Sequence, residues 1–158
     1  MASYKGHLIG GTVAFGAVYY TTTRLLAHPP YPTKIFFFAL ICCLLGSLFP
    51  DVDTKSLGQR LFYGLLTTAI IATIITQRWR PLAALSLVSV FPMLVHHRGI
   101  MHSIWFVLTV PLSIPLVIWY QNPSFNQTAW LIYGYFVAGA ISHLFLDYGV
   151  TNTFKRSF

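Results

Sequence analysis

Charged side chains are so scarce in this chain that they constrain its fold more than any other feature. Lysine, arginine, aspartate and glutamate together make up 8% of the 158 residues, whereas 56% of the residues are hydrophobic. A soluble domain carries about 25% charged residues, which cover the surface that faces water. The composition therefore predicts an integral membrane protein, and the length favours a single transmembrane helical domain over residues 1–158.

Apolar runs divide the chain into six segments and predict an all-α bundle of about six transmembrane helices, with both termini on the same side. The runs cover residues 8–27, 35–50, 61–76, 82–95, 103–120 and 129–148. Several are shorter than the ~20 residues that usually cross the hydrocarbon core. Short runs indicate local thinning of the bilayer, or helix ends that lie below the headgroups.

The order of these crossings brings distant polar residues to one side of the membrane. If successive helices run in opposite directions, the first helix starts where the second, fourth and sixth helices end. That side receives every acid of the chain and every histidine except His28. These residues are Asp51, Asp53, Asp147, His7, His96, His97, His102 and His143. Because carboxylates and imidazoles are costly beside lipid, we expect their convergence to serve a function.

His143 and Asp147 are four residues apart in the sixth apolar run, within SHLFLD. This spacing places both side chains on one helix face, one turn apart. The pair suits two ligands of one metal ion, or a metal-bound histidine that a carboxylate orients. The alternative is a structural histidine at a helix end with an aspartate that caps a neighbouring group.

Asp51 and Asp53 flank Val52 directly after Pro50, within LFPDVDTK. In an extended stretch, residues two apart point in the same direction. Two carboxylates held so close repel one another unless a cation lies between them. The pattern therefore favours a metal site, although an N-cap and a solvated loop acid would also explain the two residues.

The segment HHRGIMHS combines three histidines with an arginine between the fourth and fifth runs. Neutral imidazole is the commonest metal ligand, and a guanidinium grips phosphate or carboxylate groups. We interpret His97 and His102 as ligands and Arg98 as an anion-binding group, although spacing does not separate His96 from His97. The alternative is an interfacial loop with incidental histidines and a snorkelling arginine. His7 opens the first helix on the same side and is a further candidate ligand.

Carboxylates and imidazoles without thiolates favour zinc, with manganese or iron as alternatives. The candidate metal ligands are His7, Asp51, Asp53, His97, His102, His143 and Asp147. One or two ions would account for so many ligands. A metal-activated water would then be the nucleophile, with Asp53 or His97 as a candidate base and Arg98 next to a developing oxyanion.

Four elements of the sequence, in order, resemble the YdjM-type family of predicted bacterial membrane-bound metal-dependent hydrolases. They are His7 near the start, GSLFPDVD, HHRGIMHS and GAISHLFLD, and the similarity spans nearly the whole chain. The resemblance implies an inner-membrane hydrolase. It also implies a set of metal-site residues, with His7 and Arg98 nearby. That set is Asp51, Asp53, His97, His102, His143 and Asp147.

The sequence leaves three functions open. The first is a membrane hydrolase that cleaves a lipid-like substrate, with a phosphoester indicated by the depth of the site and by Arg98. The second is a metal-coupled or proton-coupled transporter, whose polar residues would usually lie near the bilayer midplane. The third is a membrane adaptor with a structural metal site. The net charge of +7 suits membrane lipids or an anionic substrate, and not nucleic acid, because the basic residues are scattered.

Basic residues also give the expected orientation. The side that holds the acids carries Lys5, Lys55, Arg60, Arg98, Lys155 and Arg156. The opposite side carries Arg24, Lys34, Arg78 and Arg80. The positive-inside rule therefore places the site at the cytoplasmic face, by a small margin. The oligomeric state has no signature in the sequence.

Overall fold

A computed structural model describes residues 3–25, 31–94, 100–121 and 126–149. These residues form six α-helices and no strand. The helices are α1 (Tyr4–Tyr20), α2 (Thr33–Leu48), α3 (Leu57–Ile75), α4 (Trp79–Leu94), α5 (Ile104–Gln121) and α6 (Asn126–Tyr148). The structure thus confirms an all-α polytopic bundle, and each helix overlaps one of the predicted apolar runs.

Three short segments of other helical types accompany the α-helices. A π-helix at Thr21–Leu25 continues α1, a 3₁₀ helix at Phe49–Asp53 follows α2, and a 3₁₀ helix at Ile100–His102 precedes α5. Pro50 has no backbone N–H and cannot extend the hydrogen-bond ladder of α2. The chain therefore tightens into the 3₁₀ turn at the point where the first two acids occur.

Helices α2 and α6 approach so closely that their backbones touch at two glycines. A Cβ atom at Gly46 would meet the backbone carbonyl of Phe136, and one at Gly139 would meet the backbone carbonyl of Cys43. Small residues permit this distance between helices in a membrane, where packing replaces the hydrophobic effect as the driving force. The contact fixes the position of the last turns of α6 relative to the end of α2.

Helix α1 packs in the groove beside this pair, again through glycines. A Cβ atom at Gly10 would lie 2.6 Å from Leu146 Cδ1, and one at Gly11 would lie 2.7 Å from Ser47 Oγ. The Sγ atom of Cys43 donates a hydrogen bond to the carbonyl of Gly11 at 3.3 Å. These contacts hold the first turns of α1 against the ends of α2 and α6.

Helices α3 and α4 form a hairpin. Ser56 caps α3 by accepting a hydrogen bond from the backbone N–H of Gln59, and the hydroxyl of Tyr63 donates to the carbonyl of Ser89 on α4. Only 11% of the apolar stretch of α3 is buried within the chain, against 39% for the stretches in α2 and in α6. Helix α3 therefore leaves most of its apolar side chains exposed or only partly buried.

Three segments of the described chain are long and apolar enough to cross a membrane. They are Thr33–Asp53, which joins α2 to its 3₁₀ turn, Leu57–Ile75 in α3 and Gln127–Tyr148 in α6. A fourth apolar segment, Ile104–Val117 in α5, is shorter. Helices α1 and α4 have 17 and 16 residues, so the short runs noted in the sequence are short helices in the structure as well.

Candidate metal centre

Four side chains from distant parts of the sequence converge at one end of the bundle. Asp51, His102, His143 and Asp147 each offer one ligand atom, and these four atoms all lie within 4.8 Å of one another. We refer to them as the four-residue group. They come from the 3₁₀ turn after α2, the 3₁₀ turn before α5 and the last turns of α6. The convergence that was expected from the order of the crossings is therefore confirmed for these residues.

Three members of the group are almost completely buried. The side chains of His143, His102 and Asp147 expose 0%, 1% and 2% of their surface, whereas that of Asp51 exposes 19%. Leu144, next to His143 in the chain, is fully buried in an apolar cluster with Val107 and Ala140. A carboxylate buried in such surroundings is unfavourable unless a positive charge or a metal ion accompanies it.

The position of Asp51 follows from the 3₁₀ turn after α2. Its backbone carbonyl accepts hydrogen bonds from the hydroxyls of Thr54 at 3.0 Å and Ser56 at 2.7 Å, and these bonds fix the local backbone. Its carboxylate points towards the imidazoles, with Oδ1 at 3.6 Å from Nε2 of His102. The 3₁₀ turn thus places the carboxylate of Asp51 in the four-residue group.

The expectation of an extended stretch around Asp51 and Asp53 is wrong, because Phe49–Asp53 is a 3₁₀ helix. Successive residues in such a helix are rotated by about 120°, so residues two apart do not share a direction. The four-residue group includes Asp51 and does not include Asp53. The roles predicted for Asp53, as a ligand and as a base, stay predictions.

His143 has its tautomer set by the backbone of α2. Its Nδ1 atom lies 2.8 Å from the carbonyl oxygen of Ser47, and a carbonyl can only accept, so Nδ1 carries the proton. In the neutral ring, Nε2 is then a lone-pair acceptor. This atom lies 3.5 Å from Oδ1 of Asp51 and 3.7 Å from Oδ2 of Asp147. It makes no hydrogen bond within the described residues.

A buried lone pair that faces two carboxylates is electrostatically unfavourable unless a cation lies between them. A charged imidazolium would be drawn to about 2.7–2.9 Å from a carboxylate oxygen, which is shorter than either distance to His143 Nε2. Two ligands of a tetrahedral zinc ion, each about 2.0–2.1 Å from the metal, lie roughly 3.3 Å apart. The spacing within the four-residue group is therefore closer to that of metal ligands than to that of hydrogen-bonded pairs.

The chemistry of the donors agrees with this interpretation. Two imidazole nitrogens and two carboxylates, without a thiolate, form a set that zinc, manganese or iron accepts. The Nδ1–H group of His143 donates a hydrogen bond to a backbone carbonyl, which is the usual way in which a protein orients a metal-bound histidine. The described residues of the site thus fit a divalent cation.

His7 lies beside the four-residue group and contacts two of its members. Its ring stacks on that of His143, with the centroids 3.7 Å apart and an angle of 14° between the planes. Its Nε2 atom lies 3.6 Å from Oδ1 of Asp147. The side chain is fully buried at the first turn of α1. The structure thus brings His7 to the site, next to the group and not within it.

Other predicted residues fall outside the part of the chain that the structure describes. They are His96, His97 and Arg98, so their predicted roles stay predictions. Conversely, the sequence did not indicate the carbonyl of Ser47 as a partner of His143. A backbone carbonyl leaves no signature in residue type, and only the small residues Gly46 and Ser47 hint at a close helix approach there.

A family model described as YdjM inner membrane protein matches residues 1–154, which is nearly the whole chain. No curated protein and no solved structure matches the chain. The motifs that carry the resemblance include the residues of the four-residue group and lie within the matched range. The chain therefore belongs to the YdjM inner membrane protein family.

Proposed function

We propose that this protein is a membrane-embedded, metal-dependent hydrolase that cleaves a phosphoester in a lipid-like, anionic substrate. The four-residue group would hold one divalent cation, with zinc the first choice and manganese or iron the alternatives. A second ion would need further ligands, for which Asp53 and His97 are the candidates from the sequence.

The orientation of His143 is the observation that carries the proposal. Its protonated Nδ1 is bound to the carbonyl of Ser47, and its Nε2 faces the carboxylates of Asp51 and Asp147. A protonated histidine paired with one of these acids would lie about 2.7–2.9 Å from it, which is shorter than the 3.5 Å and 3.7 Å observed. The arrangement is suited to a cation that accepts electron pairs from all three side chains.

The chemistry proposed for the site divides between the cation and the chain. A bound divalent cation would act as a Lewis acid and activate a water molecule for attack. Asp53 and His97 are the candidates for the base that accepts the proton of that water as its oxygen bonds to phosphorus. The ester P–O bond would break, and the same group would return the proton to the oxygen of the leaving alcohol. Arg98 is the candidate that stabilises negative charge on the phosphoryl oxygens. His7 would keep the ring of His143 in place by stacking.

The location of the group supports a substrate that approaches from the membrane interface. The group lies at the ends of α2 and α6, and both helices belong to segments long and apolar enough to cross a membrane. Carriers usually bind their cargo near the bilayer midplane, often at broken helices. A site at the helix ends therefore gives less support to the transporter hypothesis than to a hydrolase.

Two aspartates, two positions apart, provide a matched test of the proposal. We would purify the full chain without chelators as wild type, Asp51→Asn and Asp53→Asn, and measure bound metal by elemental analysis. Hydrolysis would be followed with bis-p-nitrophenyl phosphate and with a fluorescent phospholipid in mixed micelles. We expect Asp51→Asn to lose both metal and hydrolysis. We expect Asp53→Asn to keep the metal and to lose most of the hydrolysis.

Each result has a distinct meaning for the proposal. A wild-type protein that contains no divalent metal would refute the metal site and the hydrolase together. Bound metal without hydrolysis of either substrate would refute these phosphoesters as substrates and favour a structural ion in an adaptor. Equal loss of metal in Asp51→Asn and Asp53→Asn would show that the ligand set is larger than the four-residue group.

We also propose that the site faces the cytoplasm of the bacterial cell, which extends the inner-membrane assignment of the family. The support is the excess of basic residues on the side of the site. The test uses a variant in which Cys42 and Cys43 are replaced by serine. In this variant, Lys5→Cys would place a single thiol on the side of the site, and Lys34→Cys would place one on the opposite side of the membrane. A membrane-impermeant maleimide should label Lys34→Cys in intact spheroplasts and Lys5→Cys only after lysis. The reverse pattern would invert the orientation.

A further inference from the structure

A pocket of about 510 Å³ opens beside the four-residue group. Its volume lies within the range of roughly 300–1,000 Å³ that is typical of small-ligand pockets. The start of α1, the 3₁₀ turn after α2 and the first turn of α3 form its walls. The lining residues are Tyr4, Asp51, Lys55, Ser56, Leu57 and Arg60.

Asp51 connects this pocket to the candidate metal centre. It lines the pocket, and it is also the member of the four-residue group with the most exposed side chain, at 19% against at most 2% for the other three. Among the described residues, the group therefore meets the exterior at Asp51. A ligand in the pocket would lie directly next to the side chains that would hold the cation.

The charges that line the pocket suit an anion. Lys55 and Arg60 are exposed, and in the described part of the chain neither side chain has an ion pair or a hydrogen bond. The single acid in the lining, Asp51, turns its carboxylate towards His102 and His143. The ammonium and the guanidinium thus have donors available for a ligand. A guanidinium in particular binds phosphate through two parallel hydrogen bonds.

We propose that Lys55 and Arg60 form the anion-binding part of the substrate site and hold a phosphate group of the substrate beside Asp51. This inference rests on the proposed function, because it is the hydrolysed substrate that the two side chains would position. It also supplies binding residues that do not depend on Arg98. A lipid headgroup and a free phosphate share this chemistry, and the two sources are separable by experiment.

General attraction of basic residues to anionic lipid is the main competing explanation. It would apply equally to exposed basic residues at the opposite end of the bundle. Arg24 follows α1 and Lys34 opens α2, both at that end, and both are exposed. The double variant Arg24→Gln with Lys34→Gln therefore removes the same charge as Lys55→Gln with Arg60→Gln and serves as the matched control.

The test is a binding measurement on the full chain in a neutral detergent. Isothermal titration calorimetry would use three probes, namely inorganic phosphate, dihexanoyl phosphatidic acid and the zwitterionic dihexanoyl phosphatidylcholine. We expect the Lys55→Gln, Arg60→Gln variant to bind the anionic probes about tenfold or more weakly, since charge-assisted hydrogen bonds are lost. The control variant should bind like wild type, and Lys55→Arg should retain binding. Elemental analysis of each variant reports whether the metal centre is intact.

Binding of phosphatidic acid that is much tighter than that of phosphate identifies a lipid headgroup as the ligand, and comparable binding identifies a free phosphate. Equal affinities in the two double variants, or equal binding of phosphatidylcholine and phosphatidic acid, would overturn the inference. If the Lys55→Gln, Arg60→Gln variant has normal metal content and unchanged anion binding, the proposed anion-binding site is refuted and the proposed metal site is not affected. Absence of metal from the wild type would instead remove the proposed function, while a selective loss of anion binding would still establish the pocket.

Discussion

Helices α2 and α6 differ from the α3–α4 hairpin in how tightly they are bound to the rest of the chain. The first pair meets backbone to backbone at Gly46 and Gly139, whereas α3 buries only 11% of its apolar stretch. Three members of the four-residue group follow or belong to α2 and α6. The comparison indicates that close packing of α2 and α6 positions the four-residue group, and that the first turn of α3 lines the pocket beside it.

The difference has a physical basis in membranes. Lipid tails are as apolar as leucine side chains, so helices gain little from burying apolar surface against one another and depend on close packing instead. Glycines supply that packing between α2 and α6. Helix α3 presents apolar side chains that lipid can solvate. Changes to the two regions should therefore have unequal effects on the site.

The largest effect is expected for Gly139→Ala. A Cβ atom at this position would meet the backbone carbonyl of Cys43, so α2 and α6 must move apart. Overpacking of this kind costs about 1–3 kcal/mol or more, and the shift also separates His143 from Ser47. We expect a lower thermal unfolding temperature in detergent and a loss of bound metal.

Gly134→Ala on the same helix is the matched control for this prediction. Among the described residues, nothing outside the adjacent backbone of α6 lies within 4 Å of a Cβ placed there, and alanine favours helix by up to about 1 kcal/mol over glycine. The control should therefore be as stable as wild type or more so. Equal unfolding temperatures and equal metal contents in the two variants would show that α2 and α6 are not in tight contact at Gly139.

An intermediate effect is expected for His7→Phe. The substitution keeps a ring that can stack on His143 and removes the nitrogen that approaches Asp147. Loss of a group that supports metal ligands typically lowers metal affinity about 10- to 100-fold. Competition with a metal-binding dye would measure this change. Complete loss of metal, as expected for His143→Phe, would instead identify His7 as a ligand.

The smallest effect is expected for Tyr63→Phe in the hairpin. The substitution removes the hydrogen bond from the Tyr63 hydroxyl to the carbonyl of Ser89. Hydrogen bonds between membrane helices contribute about 0.6 kcal/mol on average. We expect a slight decrease in unfolding temperature and unchanged metal content. A loss of metal in this variant would show that the hairpin also determines the geometry of the four-residue group.

The sequence predicted the helices and the convergence of the four-residue group. Both predictions follow from the number and order of the apolar runs. Apolar runs mark the helices, and antiparallel neighbours bring the ends of α2 and α6 next to the starts of α1 and α5. The sequence did not predict the local geometry of the site. Pro50 changes the backbone after α2 to a 3₁₀ turn, and this turn separates Asp51 from Asp53. Tertiary packing that no motif encodes determines three further features. These are the hydrogen bond from His143 to the carbonyl of Ser47, the stacking of His7 on His143 and the pocket at Lys55.

Anomalous X-ray scattering from crystals of the full chain, purified without chelators, would show whether the four-residue group binds a metal ion. Data collected on both sides of the zinc absorption edge, and then at the manganese and iron edges, would locate and identify a bound ion. We expect an anomalous peak in direct contact with Asp51, His102, His143 and Asp147. A metal-containing protein with no peak at these residues, or with its ion bound elsewhere, would rule out a metal centre at the four-residue group.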